Sequence, residues 1–215
     1  MKSISLYNFG GSEEVIKRIQ TPFVNLFKGF GPVLDIGCGR GIFLQLLSEA
    51  CIEAVGVDHS EEANRACEEK GLIVHRQGGR EYLSQNPGRF GGIFCSHVIE
   101  HMDYGDAMSF LQLCHRALRI DGVILLVTPN PRDLTIMTEV FWLDPTHVRP
   151  YPGPLLGAML ESTGFELCIQ REFLGSVRLV GRRNLPLFLL RKMLLGPYYG
   201  KPNTMVLARK RESQA

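Results

Sequence analysis

Short apolar runs alternate with amphipathic stretches along most of the chain, a pattern typical of βαβ units. The apolar runs predict strands over residues 32–36, 53–58, 72–75, 92–95, 123–127, 165–170 and 204–208. The amphipathic stretches predict helices over 42–50, 61–70, 106–119 and 152–162, with a turn at 121–122. Seven strands with intervening helices predict an α/β domain whose sheet is doubly wound.

The length of 215 residues suits one domain, predicted to span residues 1–215. Within it we expect an N-terminal helical lid over 1–30 and an apolar, basic insertion over 184–200, before the last strand. The six cysteines form no C-x-x-C pair, which favours free thiols over a zinc site or a disulfide framework. With no signal-peptide pattern and no run of about 18 apolar residues, we expect a cytoplasmic protein.

A glycine-rich turn follows the first predicted strand in Asp35-Ile36-Gly37-Cys38-Gly39-Arg40-Gly41. Glycines at alternate positions permit a tight turn and close approach of a ligand, and the following helix offers unpaired N–H groups. A nicotinamide fingerprint would need glycine where the chain has Ile42, and no phosphate-binding G-x-x-x-x-G-K-[ST] loop exists. The carboxylate of Asp35 would repel a pyrophosphate and suits a ligand that carries an ammonium group.

A second acidic residue, Asp58, ends the second predicted strand in Val55-Gly56-Val57-Asp58. A carboxylate at this place can accept hydrogen bonds from both ribose hydroxyls of a bound nucleoside. Together, Asp35 and Asp58 indicate a ligand that joins a nucleoside to an amino acid.

The glycine-rich turn, Asp58 and the segment Ser96-His97-Val98-Ile99-Glu100-His101 resemble the class I S-adenosylmethionine-dependent methyltransferases, over about residues 30–130. The resemblance implies a Rossmann-like, seven-stranded, mostly parallel sheet with an antiparallel last strand. It also implies S-adenosylmethionine as the cofactor. The cofactor-binding residues that it implies are Asp35, Gly37, Cys38, Gly39, Gly41, Asp58, His59, Ser96 and His97.

Glu100-His101 and Asp144-Pro145-Thr146-His147-Val148-Arg149-Pro150 resemble segments of bacterial methyltransferases found with polysaccharide and O-antigen synthesis. In those proteins the second segment lies over the acceptor side of the site. The chain departs from this subgroup at Gly10, where relatives often have Arg, and at Gly79 and Gly91, where they often have Asp. The departures bear on cofactor affinity, because the missing Asp near the adenine removes a hydrogen bond worth about 1 kcal/mol.

Methyl transfer to an oxygen of high pKa needs a general base as well as alignment of the reactants. The candidates are His147, in a loop rigidified by two prolines, and His101, which follows Glu100. The alternatives are a histidine that only holds the loop and a histidine that caps or packs a helix, and both stay open. No metal site is expected.

Residues 171–215 contain ten basic and two acidic residues, and 182–196 add a dense apolar run. Peripheral contact with the inner face of the membrane through 182–196 is one interpretation of this composition. We expect the other, a helix packed on the sheet or on a second subunit, because apolar residues face nearly every side. Nucleic acid is not an expected partner, since the basic residues are not interleaved with aromatic ones.

The sequence therefore predicts a methyltransferase with a small-molecule or saccharide acceptor, and specifically an O-methyltransferase acting on a sugar of a surface polysaccharide or glycolipid, or on a related metabolite. Two alternatives stay open. One is a methyltransferase of quinone precursors at a membrane surface. The other is a cofactor-binding module without turnover that regulates a partner enzyme. Neither the acceptor nor the oligomeric state follows from the sequence.

Overall fold

A seven-stranded sheet forms the centre of the computed structural model, which describes residues 12–173 and 185–212. The strands are β1 (Val33–Ile36), β2 (Ala54–Asp58), β3 (Val74–Arg76), β4 (Phe90–Ser96), β5 (Leu118–Pro129), β6 (Phe165–Phe173) and β7 (Asn203–Lys210). Their order across the sheet is β3-β2-β1-β4-β5-β7-β6. Strands β1 to β5 pair in parallel, and β7 runs antiparallel between β5 and β6. This topology confirms the predicted doubly wound, mostly parallel sheet with an antiparallel last strand.

Helices cover both faces of the sheet, as strands buried on two sides require. They are α1 (Glu13–Gln20), α2 (Ile42–Glu49), α3 (Glu61–Glu69), α4 (Gly79–Gln85), α5 (Tyr104–Ala117), α6 (Gly153–Ser162) and α7 (Leu185–Leu195). On one face, α4, α5 and α6 contribute Leu83, Phe110 and Leu160 to the larger apolar core. On the other face, Phe43 of α2 packs with Phe94 of β4, with 4.0 Å between the ring centroids.

The structure moves several predicted boundaries by a few residues, and the largest change concerns β5. This strand begins at Leu118, so the predicted turn at 121–122 lies inside it and the predicted helix over 106–119 ends before it. Pairing explains the difference, because Leu118 lies opposite Phe90 at the start of β4. An irregularity in the pairing follows, and it accommodates Asp121, whose φ of +61° lies in the left-handed region.

The N-terminal part of the described chain is helical, as predicted. After α1, which buries none of its side chains, a 3₁₀ helix over Thr21–Phe27 inserts Phe23 and Phe27 into the core beside α2. This second helix is therefore part of the domain core. The lid function expected for residues 1–30 stays a prediction, and residues 1–11, with Gly10, lie outside the described residues.

Four short helices are not predicted by the sequence pattern, because each is too short to show a helical period. One is α4, and another is the 3₁₀ helix Ile99–His101 after β4. The other two are a π-helix over Ile136–Val140 and a 3₁₀ helix over Phe141–Leu143. The π-helix and the 3₁₀ helix that follows it form much of the connection after β5, and this connection carries the predicted base His147.

Helix α7 lies in the predicted insertion, and its side chains from 189 to 195 are exposed. The exposed fractions of Leu189, Met193 and Leu194 are 54%, 74% and 70%. The expected packing of this helix on the sheet is therefore wrong for these residues, because apolar side chains on every side leave no single face to bury. Residues 182–184 lie outside the described residues. Among the helices that are described, none is both long enough and apolar enough to cross a membrane.

Candidate active site

The predicted site residues meet at the carboxyl edge of the parallel strands. Strands β1, β2, β4 and β5 are neighbours and end at this edge, so the segments that follow them lie side by side. Those segments are the glycine-rich turn over 37–41, residues 59–60, residues 97–101 and the connection over 130–152. Ligands of open α/β sheets bind at this edge.

Asp58 connects the ends of β1 and β2. Its side chain is 7% exposed, and its two oxygens accept hydrogen bonds from the backbone N–H groups of Gly39 at 3.0 Å and Ser60 at 2.8 Å. Its backbone carbonyl accepts a further bond from the side-chain amide of Asn64 at 2.9 Å. The two bonds to the carboxylate fix its orientation, and each oxygen keeps a lone pair for a ligand hydroxyl.

Asp35 lies in β1 on the face covered by α2, and it is 3% exposed. Among the described residues, no donor lies within hydrogen-bond distance of its carboxylate. Burial, followed by the nearby Cys67 thiol and Asp58 carboxylate, raises the pKa of Asp35 well above its usual range. A buried carboxylate without a described partner fits a ligand that brings a positive charge or a donor.

The glycine-rich turn leaves its ligand side open because it lacks side chains there. Gly37 has a φ of +68°, and a Cβ on it would lie 2.6 Å from Cγ2 of Val98. Gly39 also has a positive φ, of 52°, and its N–H is the group bound by Asp58. The turn therefore brings backbone groups, rather than side chains, to the edge where β1 ends.

Two predicted residues of the turn, Cys38 and Gly41, pack closely against β2 and α3. Cys38 is buried, and its sulfur lies where a Cβ on Gly56 of β2 would approach it to 2.7 Å. A Cβ on Gly41 would lie 2.8 Å from the sulfur of Cys67 in α3. Contact of Cys38 and Gly41 with a cofactor stays a prediction for their backbone groups only.

His59 directly follows β2, and Ser96 ends β4. The His59 side chain is 92% exposed, with Nδ1 3.8 Å from the Asp58 carboxylate. Ser96 is half-buried at the last position of β4. Both residues lie at the predicted edge, and their contact with a cofactor stays a prediction.

His97 takes a strained backbone conformation at the end of β4, with a φ of +56°. Its Nδ1–H donates to the carboxylate of Glu100 at 3.1 Å. Burial would lower the pKa of His97, but the hydrogen bond and the charge of Glu100 raise it above its usual value. Burial would likewise raise the pKa of Glu100, but His97 holds it below its usual range. The two residues form an ion pair.

Glu100 connects three segments of the site, a role that the sequence analysis missed. Its side chain is fully buried, and its second carboxylate oxygen accepts a hydrogen bond from Thr128 of β5 at 3.1 Å. Its backbone carbonyl accepts from the N–H groups of Val148 at 2.8 Å and Arg149 at 3.2 Å. The signal in the sequence is an acidic residue that directly follows the apolar pair Val98-Ile99 and precedes the predicted His101.

His147 and His101 lie together above this buried carboxylate. Their ring centroids are 4.7 Å apart, and the side chain of His147 is only 11% exposed. Nδ1 of His147 donates to the carbonyl of Phe141 at 2.6 Å. Nδ1 of His101 lies 2.9 Å from the hydroxyl and 3.2 Å from the carbonyl of Thr146, and that hydroxyl donates its own hydrogen to Asp144. A carbonyl can only accept, so both rings carry hydrogen on Nδ1, and both Nε2 atoms hold the lone pair when neutral.

Asp144 completes the surroundings of His147. One of its oxygens lies 4.0 Å from Nε2 of His147, and the other accepts from the backbone N–H and the hydroxyl of Thr146. Burial would raise the pKa of Asp144, but the bonds from Thr146 and the two nearby histidines lower it.

Two of the departures noted in the sequence follow from close packing. A Cβ on Gly79 would lie 2.7 Å from Cγ2 of Ile36, the last residue of β1. A Cβ on Gly91 would collide with the backbone carbonyl of Phe30. In this backbone neither position has room for the Asp of the relatives, so a ligand in this site finds no carboxylate there.

A family model described as a methyltransferase domain matches residues 12–170. A solved structure of an S-adenosylmethionine-dependent methyltransferase from Archaeoglobus fulgidus is 31% identical to this chain. The match has a TM-score of 0.81 and covers 94% of this chain and 96% of that one. The 1,6-didemethyltoxoflavin-N1-methyltransferase of Burkholderia thailandensis, solved with S-adenosylhomocysteine, shares the fold and is 18% identical to this chain. The match has a TM-score of 0.64 and covers 91% of this chain and 78% of that one.

Curated relatives match a smaller part. The ubiquinone biosynthesis O-methyltransferase of Methylococcus capsulatus is 35% identical over 103 residues. This alignment covers 45% of the chain and 43% of the relative, so the chain spans less than half of that relative's length.

Proposed function

The chain belongs to the methyltransferase-domain family, and we propose that it moves a methyl group from S-adenosylmethionine to an oxygen of a small-molecule acceptor. The observation that carries this proposal is the pair His147 and His101, with their Nδ1 hydrogens bound and their Nε2 lone pairs free, beside the edge that binds the family's cofactor. The order of the elements supports it, because β1 and β5 flank β4 in the sheet, so the turn after β1 and the loop after β5 lie at the same edge.

The residues at the ends of β1 and β2 fit S-adenosylmethionine. Asp35 would accept from its ammonium group, Asp58 would bind its ribose hydroxyls, and the backbone over 37–41 would lie against it. Bound there, S-adenosylmethionine supplies an activated methyl group. Because Gly79 brings no carboxylate, cofactor affinity depends more strongly on Asp35 and Asp58. Gly91 lies at the amino-terminal end of β4, away from this edge.

On the acceptor side, Nε2 of His147 takes the proton of the acceptor hydroxyl. Asp144, 4.0 Å away, stabilises the imidazolium that forms, and the bond to the carbonyl of Phe141 keeps the ring in the required tautomer. Glu100 positions the loop through its backbone carbonyl, which binds the N–H groups of 148 and 149. Proton transfer to a positioned histidine contributes about 10²–10⁴-fold to the rate.

The test of the base is His147→Gln, which keeps the size and polarity of the side chain and removes the lone-pair nitrogen. We expect turnover to fall by about 10²–10⁴-fold, while S-adenosylmethionine affinity measured by calorimetry stays unchanged. His75→Gln, a change at an exposed histidine of β3, is the matched control and keeps full turnover. Full activity of His147→Gln would exclude the base role, and an equal loss of cofactor binding would make the loop structural.

A second observation favours one class of acceptor, an aromatic hydroxyl compound of the quinone-precursor type delivered from a membrane surface. Helix α7 exposes apolar side chains, and the segment that follows it is hydrogen-bonded to the segment after β5. Gly200 donates to Asp133 at 2.9 Å, and Asn130 donates to the carbonyl of Lys201 at 2.8 Å. The name of the Methylococcus relative points to the same class.

The acceptor is identified by incubating the protein with labelled S-adenosylmethionine and two acceptor panels, catechol-type quinone precursors and nucleotide- or lipid-linked sugars. Label transfer to the first panel is expected. Transfer to sugars alone would replace this acceptor class with the saccharide predicted from the sequence. Binding of S-adenosylmethionine without transfer to either panel would favour the regulatory module instead.

A further inference from the structure

Three side chains of the acceptor side offer donor atoms to a common space. One ligand atom each from Glu100, His101 and His147 lies within 4.8 Å of the other two. In a tetrahedral site with metal–nitrogen distances of about 2.0–2.1 Å, neighbouring donors are about 3.4 Å apart. The described arrangement therefore needs only a modest contraction to hold an ion.

The hydrogen bonds around the two histidines are those of metal-binding imidazoles. Ligating histidines donate their second ring N–H to a carbonyl or carboxylate, which sets the ring orientation and raises the basicity of the ligating nitrogen. His147 donates to the carbonyl of Phe141, and His101 donates to the carbonyl of Thr146. Both bonds are already made, so ion binding would cost neither a tautomer change nor a lost partner.

The charge at this place also suits a cation. Glu100 is fully buried, and buried charges in proteins are paired or bind metals. Each of its oxygens holds one described hydrogen bond, from His97 and from Thr128, and keeps a further lone pair. A second carboxylate, Asp144, lies 4.0 Å from His147 and adds negative charge at the open side.

We propose that Glu100, His101 and His147 form a binding site for a divalent transition-metal ion of the zinc, cobalt or nickel type. Two imidazoles and one carboxylate suit these ions, whereas magnesium and calcium prefer all-oxygen sites. Three protein ligands leave a coordination position open, as in catalytic zinc sites. The function proposed above would place this position on the acceptor side, and only that placement rests on it.

The proposal has a consequence for His147. A lone pair bound to the ion cannot accept a proton, so the ion and the general-base role exclude each other at this nitrogen. An ion in the open site lowers the pKa of an oxygen bound to it. The metal-loaded protein would therefore activate an acceptor hydroxyl through the ion instead of through His147.

The test is a titration of the chelator-treated, untagged protein with cobalt(II), followed by visible ligand-field absorption. We expect saturation at one equivalent with the intense spectrum of a four- or five-coordinate site, displacement by zinc(II), and no displacement by equimolar magnesium. Changes at residues that only support a metal ligand weaken metal binding by roughly 10–100-fold. His101→Gln and His147→Gln should each weaken cobalt binding by more than that. His59→Gln, an exposed histidine elsewhere, is the matched control and leaves binding unchanged.

Glu100→Gln tests the third ligand, with its melting curve as a check because the residue is buried. If that variant does not fold, the two histidine variants still decide. Absence of a saturable spectrum, or equal cobalt affinity in a protein lacking both histidines, would overturn the proposal. Calorimetry with S-adenosylmethionine measures cofactor affinity, which depends on Asp35 and Asp58 and not on the three proposed ligands. Failure of the ion site and failure of the proposed function are therefore seen separately.

Discussion

Asp35 is a residue whose effect on stability and whose effect on binding have opposite signs. Its pKa is raised in the folded protein by burial, Cys67 and Asp58, so folding favours its protonated form. The free energy of unfolding therefore falls as the pH rises above the unfolded value of 3.8, until the pH passes the raised pKa of the folded protein. We expect Asp35→Asn to raise the melting temperature of the ligand-free protein at neutral pH and to weaken S-adenosylmethionine binding in calorimetry. Loss of stability with unchanged affinity would contradict the assignment.

The same raised pKa predicts a pH dependence of cofactor binding. Protonated Asp35 cannot pair with an ammonium group, so affinity should fall as the pH is lowered. The fall should begin at a higher pH than for an ordinary aspartate, because the folded pKa is raised rather than lowered. Calorimetry over a pH series measures it, and Asp35→Asn should show a flatter profile. An identical slope in the variant would assign the titration to another group.

Gly37 allows a prediction that separates backbone strain from steric conflict. Gly37→Ala places a side chain at a φ of +68° and 2.6 Å from Val98, whereas Gly71→Ala meets the same φ with no described atom within 4 Å. The strain alone costs about 1–2 kcal/mol. In chemical denaturation we expect Gly71→Ala to lose about that amount, and Gly37→Ala to lose more and also to bind cofactor weakly. Equal losses would mean that Val98 moves freely.

At the residue scale, the groups that were predictable lie in one continuous motif. Asp35, Gly37 and Asp58 follow from a strand, a turn and a second strand read in order. The role of Glu100 was not predictable, because its partners come from β5 and from the loop at 148–149, and only the folded sheet brings them together. The juxtaposition of His101 with His147 escapes the sequence for the same reason.

At the scale of elements, α7 is where the expectation failed and where a surface property can be tested. Met193 and Leu194 are 74% and 70% exposed, and Arg191 and Lys192 beside them are exposed as well. Basic residues near anionic headgroups contribute about 1 kcal/mol each. We expect the protein to sediment with anionic lipid vesicles, less at high salt, and Arg191→Glu with Lys192→Glu to prevent it. Lys28→Glu with Arg116→Glu, the same charge change at exposed residues elsewhere, should still sediment.

The apolar contribution of α7 has its own variant. Met193→Ser with Leu194→Ser should abolish vesicle binding and change the free energy of unfolding by no more than about 0.5 kcal/mol, as exposed positions do. A large loss of stability would mean that α7 packs on something after all, such as a second subunit. Denaturation at two protein concentrations separates these cases, because a subunit contact makes the midpoint concentration-dependent.

The whole molecule was more predictable than its loops, because the strands carry the strongest local signals. Buried parallel strands read as apolar runs, and the alternation with helices sets the doubly wound class. The long connection after β5 and the segment around α7 were not predictable in this way. Their short helices lack a period, and their positions depend on contacts such as those of Asp133 and Asn130 with residues 200 and 201.

The proposed cofactor site takes groups from two strands and a turn, so a bound cofactor should stabilise the whole domain. A ligand at 100 times its dissociation constant adds about 2.7 kcal/mol to the free energy of unfolding. For a domain of 150–250 residues, each kcal/mol raises the melting temperature by about 2–4 °C. We therefore expect S-adenosylmethionine or S-adenosylhomocysteine at that excess to raise the melting temperature by about 5–11 °C.

NAD should give no shift, because Ile42 stands where its fingerprint needs glycine. Asp58→Ala should give a smaller shift at the same ligand concentration, since it loses about 1–3 kcal/mol of binding, and an undiminished shift would remove Asp58 from the site.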